Sequence, residues 1–470
     1  MLFSSATFLF GFLPTVLAVY YALRGHREAQ NIVLCLFSLF FYAWGEPRFV
    51  LIMLLSIIVN WAAGLLIEKS NSKLIVVLDL VFNLSILAIF KYLMFAVESV
   101  NGLLGTDMSV PEIALPIGIS FFTFQAISYV LDVYRGRGAA QHNILHVALY
   151  ISFFPQLIAG PIVRYNTIAE QIKDRHESWE DFSEGCVRFI IGLGKKVIIA
   201  NNLAFIADKA FEMAGGVYTE WFGIECSLTS DIAWLGALAY AFQIFFDFSG
   251  FSDMAIGLGK MFGFHFLENF SYPYISGSIT EFWRRWHISL GTWFRDYLYI
   301  PLGGSHCSQS RNYFNLLVVW FCTGLWHGAN TTFIIWGLMY FVLIAAERYF
   351  DFKNRLEGLL SSIGHIYTLL FVIIGWVIFR ADNINIACNY IAQMFSFTGN
   401  TQMTSFYIRE YWMYYLVAII ASVPLIPWVK TKISRMLWNL LSGIFVIVVL
   451  IVSISFIVKG SYNPFIYFNF

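Results

Sequence analysis

Apolar runs long enough to enter or cross a bilayer recur along almost the whole chain, and no other feature limits its fold as tightly. A helix crossing the hydrocarbon needs about 20 apolar residues. Twelve runs of this kind, from Phe8–Leu23 through Phe49–Ile67, Leu74–Val97 and Tyr313–Ala346 to Leu437–Val458, leave only short polar connections. Backbone groups facing lipid must be bonded within the chain, so the runs are helices or protein-buried loops, never open strands. The expected class is therefore an all-α polytopic membrane protein. Composition agrees: 59 % of residues are hydrophobic and 12 % charged, against about 45–50 % and about 25 % in soluble domains. A soluble enzyme, a disordered chain and a disulfide scaffold are excluded. The 29 basic and 29 acidic residues cancel, so no nucleic-acid partner is implied. Six scattered cysteines show no CxxC spacing and read as small buried hydrophobes.

The distribution of lysine and arginine sets an orientation. With the N-terminus outside, the loops at 24–30, 68–73, 132–142, 164–188, 259–312, 347–362 and 429–436 face the cytoplasm and hold 21 Lys/Arg. The outer segments then hold 5: Arg48, Lys209, Arg380, Arg409 and Lys459. The first run reads as a span, not a signal peptide, because Arg24 and Arg27 follow it. Two stretches do not fit simple crossings. Residues 152–164 contain Pro155, Gly160 and Pro161 and are expected to be kinked or re-entrant. Residues 313–347 begin and end beside cytoplasmic charge, so a hairpin bent near Gly328–Asn330 is expected. No soluble segment is long enough to fold alone, which leaves one membrane-embedded domain over residues 1–470.

No nucleophile elbow, phosphate loop or HExxH pattern is present. His142 and His146 are four residues apart but lack the acidic companion of a metalloprotease site, and no metal ligand set is assigned. Polar groups inside apolar runs are better leads, because burying them in lipid is costly. His327 lies in Thr323-Gly324-Leu325-Trp326-His327-Gly328-Ala329-Asn330, far from charged loops. A neutral imidazole there can take a proton from a hydroxyl and return it, or serve as a structural hydrogen-bonding group. Gly324 and Gly328 would let a neighbouring helix approach closely. His287 lies in Glu281-Phe282-Trp283-Arg284-Arg285-Trp286-His287-Ile288-Ser289-Leu290. Wound as one amphipathic helix, this segment puts its tryptophans on one face and Arg284, His287, Gly291 and Arg295 along another. Interfacial anchoring and attraction of a phosphate-bearing donor both fit that pattern. Asp247 and Asp253 are expected to cap helices, pair with Arg284 or Arg285, or line a cavity. Lys195 and Lys196 are expected to snorkel.

These segments carry a resemblance. Phe41-Tyr42-Ala43-Trp44, Leu115-Pro116-Ile117-Gly118-Ile119-Ser120-Phe121 and Phe153-Phe154-Pro155-Gln156-Leu157-Ile158-Ala159-Gly160-Pro161 match a known pattern in order. So do Asp247 through Gly304, Gly324-Leu325-Trp326-His327-Gly328-Ala329 and Asn463-Pro464-Phe465-Ile466-Tyr467-Phe468. The chain resembles the membrane-bound O-acyltransferases, and among them the alginate O-acetyltransferase branch. The resemblance implies a ring of about 11 transmembrane helices, with re-entrant and interfacial helices, around a tunnel. It places the family's two signature histidines on His327 and His287 as catalytic residues. It implies acetyl-CoA as donor substrate with no bound cofactor, and a polysaccharide acceptor outside the cytoplasmic membrane. An extracytoplasmic partner resembling serine hydrolases is implied as well. Arg284, Arg285, Arg295, Trp326, Asn330 and Asp253 are the candidate substrate-binding residues. D-alanyl transfer from a carrier protein to teichoic acid is the alternative within the family. A transporter or a secretion-complex scaffold is the alternative outside it.

Overall fold

The computed structural model describes residues 1–158, 160–216, 219–221, 224–352, 361–399, 401–460 and 462–464. Ala159 and Phe465-Ile466-Tyr467-Phe468 of the quoted motifs lie outside the described residues, as do the charges between 353 and 360. In order, the helices are α1 (Leu13–Ala22), α2 (Arg27–Gly45), α3 (Val50–Ser70), α4 (Lys73–Leu87), α5 (Leu93–Leu104), α6 (Ile119–Tyr134), α7 (Ile144–Ser152), α8 (Phe154–Leu157), α9 (Tyr165–Lys173) and α10 (Trp179–Gly194). There follow α11 (Asn201–Ala214), α12 (Ser230–Met261), α13 (Ile279–Arg285), α14 (Ile288–Phe294), α15 (Gln309–His327), α16 (Thr331–Tyr349), α17 (Ser361–Arg380), α18 (Ile384–Met394), α19 (Thr401–Ser422), α20 (Leu425–Lys430) and α21 (Arg435–Val458). The all-α polytopic class holds; among the described residues the exception is a three-residue antiparallel pair, β1 (Thr219–Trp221) with β2 (Ile224–Cys226).

Among the described residues, seven helices are long and apolar enough to cross a membrane. Two more apolar helices, Thr7–Ala22 and Ile119–Tyr134, are shorter. Residues 152–164 are broken as expected, with α7 ending at Ser152 and the four-residue α8 carrying Pro155 in its first turn. The 313–347 hairpin also forms. α15 ends at His327, and Asn330 starts α16 by accepting from the Thr332 N–H at 3.0 Å.

The contacts group into two compact units, residues 1–189 with 251–268, and residues 190–250 with 269–470. In the first, rings of Phe8, Phe12, Phe41 and Phe154 pack at 5.2–6.2 Å. A buried polar ladder joins α3 to α4 there: Asn60 and Asn83 exchange amide hydrogen bonds at 3.1 and 3.3 Å, and Asn83 also donates to Asp79. Each of these groups would be costly in lipid alone, and pairing removes most of that cost.

The second unit holds both candidate histidines, His287 and His327. Its core runs from Ile199 through Tyr240 and Trp286 to Trp336, Trp376 and Tyr390. A single helical stretch, Trp179–Ala214, passes through a wider π-helical segment at Lys195–Ala200. There Gly250 of α12 comes so close that a Cβ would meet the Gly192 carbonyl oxygen at 2.8 Å. The close approach seats Lys196 against Asp247, with Nζ 2.8 Å from Oδ1 and side chains 1 % and 2 % exposed. This corrects two expectations. Lys196 does not snorkel, and Asp247 pairs with it instead of with Arg284 or Arg285. A carboxylate this deep requires a cation within reach, and the π-helical segment brings one from a neighbouring helix.

Candidate active site

The local sequence around His287 has the spacing of one helix, yet the structure breaks it. α13 stops at Arg285, Trp286 is extended, and His287 sits in the left-handed region (φ 46°) before α14 begins. Holding a non-glycine residue there costs of order 1–3 kcal/mol, and Asn269 supplies the compensation. Its backbone carbonyl accepts from the Ile288 N–H at 3.0 Å. Its side-chain Oδ1 accepts from the Ser289 N–H at 3.2 Å and the Ser289 hydroxyl at 2.8 Å. The expected line of Arg284, His287 and Arg295 on one helix face is thereby overturned. A histidine inside a helix would have pointed along it; at the break it is turned into the core, 2 % exposed.

Asn269 also fixes the tautomer. A backbone N–H can only donate, so the amide atom facing Ser289 N is the oxygen. His287 Nδ1 lies 3.2 Å from that same oxygen and must carry the proton. Nε2 is then a bare lone pair, and it is buried with no hydrogen-bond partner among the described residues. Burial pushes the His287 imidazole down to about 3, so the ring is neutral at physiological pH. In this form His287 Nε2 is a hydrogen-bond acceptor.

His327 ends α15 and is 7 % exposed. Its imidazole is boxed by Trp326 at 4.9 Å, Phe379 at 5.0 Å and Trp336 at 5.1 Å between ring centres. The box forms because α15 and α16 touch at a glycine: a Cβ on Gly324 would sit 2.5 Å from the Phe333 carbonyl oxygen. The close approach expected from Gly324 and Gly328 is realised. Trp326 joins the two histidines, its indole also lying 5.8 Å from His287. His287 in turn packs edge-on against Phe248 at 4.5 Å.

The remaining candidates separate. Arg284 is exposed and has no carboxylate partner among the described residues. Arg285 is held by Glu281 at 2.8 Å and Arg295 by the adjacent Asp296 at 2.8 Å. Asn330 caps α16 and donates to the Asp382 carbonyl at 2.8 Å. Asp253 belongs to the first unit, where Arg188 binds it at 2.9 Å; the expected pairing with Arg284 or Arg285 is not made. His142 and His146 face Glu68 and Glu28, each at 3.0 Å. Sequence reasoning missed Asn269 and Ser289, which hold His287. It also missed Glu347, which accepts from the Thr280 N–H at 2.9 Å and caps α13 from the end of α16.

Apolar spans around two buried histidines that share one indole define a multi-pass membrane protein. Residues 139–393 match the membrane-bound O-acyltransferase family, MBOAT. The "Probable alginate O-acetylase AlgI" of Pseudomonas aeruginosa is 46 % identical over 413 residues, covering 86 % of this chain and 76 % of the relative. The "Peptidoglycan O-acetyltransferase" of Helicobacter pylori is 34 % identical over 435 residues, 85 % of this chain and 80 % of the relative. The "Teichoic acid D-alanyltransferase" of Bacillus subtilis is 28 % identical over 289 residues, 56 % and 68 %. The chain belongs to the membrane-bound O-acyltransferase family and is a bacterial O-acyltransferase.

Proposed function

We propose that the protein moves an acetyl group from acetyl-CoA on the cytoplasmic side to a hydroxyl on a polysaccharide outside the bacterial cytoplasmic membrane. Its N-terminus is then outside, as the charge bias requires, and an extracytoplasmic partner resembling serine hydrolases completes the delivery. The observation that carries the reading is the pair of imidazoles sharing the Trp326 indole. Relatives named for acetyl transfer to alginate and to peptidoglycan support the choice of acyl group.

In the reaction the acceptor oxygen forms a bond to the acetyl carbon, the carbon–sulfur bond breaks, and coenzyme A leaves as the thiol. His327 takes the hydroxyl proton and returns it to the sulfur. His287 orients the donor: its bare Nε2 accepts from an amide N–H of the arm that carries the thioester. Arg284 attracts the donor's phosphates. The test is His327→Ala, which lowers transfer by about 10²–10⁴-fold while the protein still accumulates in the membrane. Wild-type acetylation of surface glycan in that variant overturns the assignment.

A further inference from the structure

Negative charge develops on the carbonyl oxygen when a hydroxyl attacks a thioester, and preorganised N–H or O–H donors aimed at that oxygen are commonly the largest stabilising effect. The Nδ1–H of His287 is committed to Asn269, so the oxygen needs a donor from elsewhere. Three buried donors cluster in the same unit. The indole Nε1 of Trp283, the indole Nε1 of Trp336 and the hydroxyl of Tyr340 have no hydrogen-bond partner among the described residues. Their rings pack on one another, at 5.4 Å for Trp283 and Trp336, 4.9 Å for Trp283 and Tyr340, and 5.2 Å for Trp336 and Tyr340. Trp336 and Tyr340 are both 0 % exposed.

Two helices build the cluster. Trp336 and Tyr340 are four residues apart on α16, which places them on one face, and Trp283 comes from α13, whose first turn is capped from α16 by Glu347. A buried N–H or O–H without an acceptor is costly, and native cores hold few of them. An indole only donates, so one tryptophan cannot serve another as acceptor. A group that brings an acceptor oxygen into the aromatic cluster, such as an acyl carbonyl, answers that need. Trp336 is the member that packs on His327, its ring standing 5.1 Å away at 81° to the imidazole. Phe379 at 5.1 Å and Trp376 at 6.3 Å hold the Trp336 ring from other sides. The indole is thereby fixed in orientation beside the proton-accepting group, as a donor to a developing oxyanion must be.

We propose that the Trp336 indole N–H is a catalytic donor that holds the thioester carbonyl oxygen as it becomes an oxyanion. The proposal rests on the acyl-transfer reading. The acceptor oxygen bonds to the acetyl carbon, the C=O π pair moves onto the carbonyl oxygen opposite Nε1–H, and the hydroxyl proton passes to His327. When that pair returns, the carbon–sulfur bond breaks and the departing thiolate takes the proton from His327. Thiol release from acetyl-CoA is followed with the full-length protein in inside-out membrane vesicles of its own cells, which carry its acceptor. Trp336→Phe keeps an aromatic ring and removes the N–H; Trp336→benzothienylalanine keeps the ring size with sulfur in place of N–H. Both should lower kcat about 10²–10³-fold. KM for acetyl-CoA should stay within about twofold, with Tm unchanged in the isosteric variant. Trp320→Phe, which removes an indole packed on Trp283 at 5.0 Å, should keep kcat. An equal kcat loss in Trp320→Phe, or an isosteric variant whose kcat falls only together with Tm, makes the role structural and overturns the proposal. Thiol release by wild type and both Trp336 variants at the same kcat sinks the donor assignment alone. No thiol release by wild type sinks transfer from acetyl-CoA, and the donor assignment with it.

Discussion

Asn269 decides which nitrogen of His287 is basic. Removing its oxygen with Asn269→Ala lets the ring rotate and exchange tautomers. Leaving a buried donor without its partner costs about 1–3 kcal/mol, and a fall in transfer of about 10-fold or more is expected. Asn269→Asp keeps an acceptor facing Nδ1 and should retain most activity, with its pH profile displaced because a carboxylate favours the protonated ring. A purely structural Asn269 would give matching losses of thermal stability and no change of profile. The depressed His287 pKa makes a second prediction. The native ring gains a proton only near pH 3, whereas an unfolded histidine does so near about 6.5. Below that higher value the unfolded chain binds more protons, so stability falls as pH drops toward 3. In detergent melts at pH 7.5, 6 and 4.5, His287→Gln should lose less Tm on acidification than wild type; equal slopes overturn the burial argument.

At the scale of elements, the α15–α16 hairpin is the unit that sets the site. Its apex carries His327, and its far end carries Glu347, whose carboxylate caps α13 and so places the segment leading to His287. Gly324→Val pushes a side chain into the Phe333 backbone. Overpacking of this kind costs about 1–3 kcal/mol, and the box of Trp326, Phe379 and Trp336 around His327 should open with it. A lower Tm and reduced transfer are expected together. The hairpin could be read from sequence because Gly328-Ala329-Asn330 interrupts an apolar run with local signals, a glycine and an N-cap. The break at His287 could not. Trp283, Trp286 and Leu290 keep helical spacing straight through it, and the bonds that overrule them come from Asn269, 18 residues upstream. The Lys196–Asp247 pair was hidden for the same reason, since only helix packing brings those side chains together. Composition and periodicity report local preference, while the polar wiring of a membrane core is non-local.

At the scale of the whole molecule, the proposed function demands two sides. With acetyl-CoA as cytoplasmic donor and a glycan acceptor outside, residues serving donor and acceptor would face opposite compartments. The charge bias turns this into a prediction: Arg284 and Lys432 inside, Arg380 and Lys459 outside. With the native cysteines replaced, a membrane-impermeant thiol reagent on intact cells should label Lys459→Cys and Arg409→Cys. It should leave Ser308→Cys and Lys432→Cys unlabelled until the membrane is opened. The inverse pattern would put Arg380 and Lys459 on the cytoplasmic side. Arg284 would then face a compartment without coenzyme A. The expectation rests on 21 basic residues against 5, an excess that the reversed orientation would place outside. Orientation and donor side are therefore tested together in one labelling experiment, independently of which histidine moves the proton.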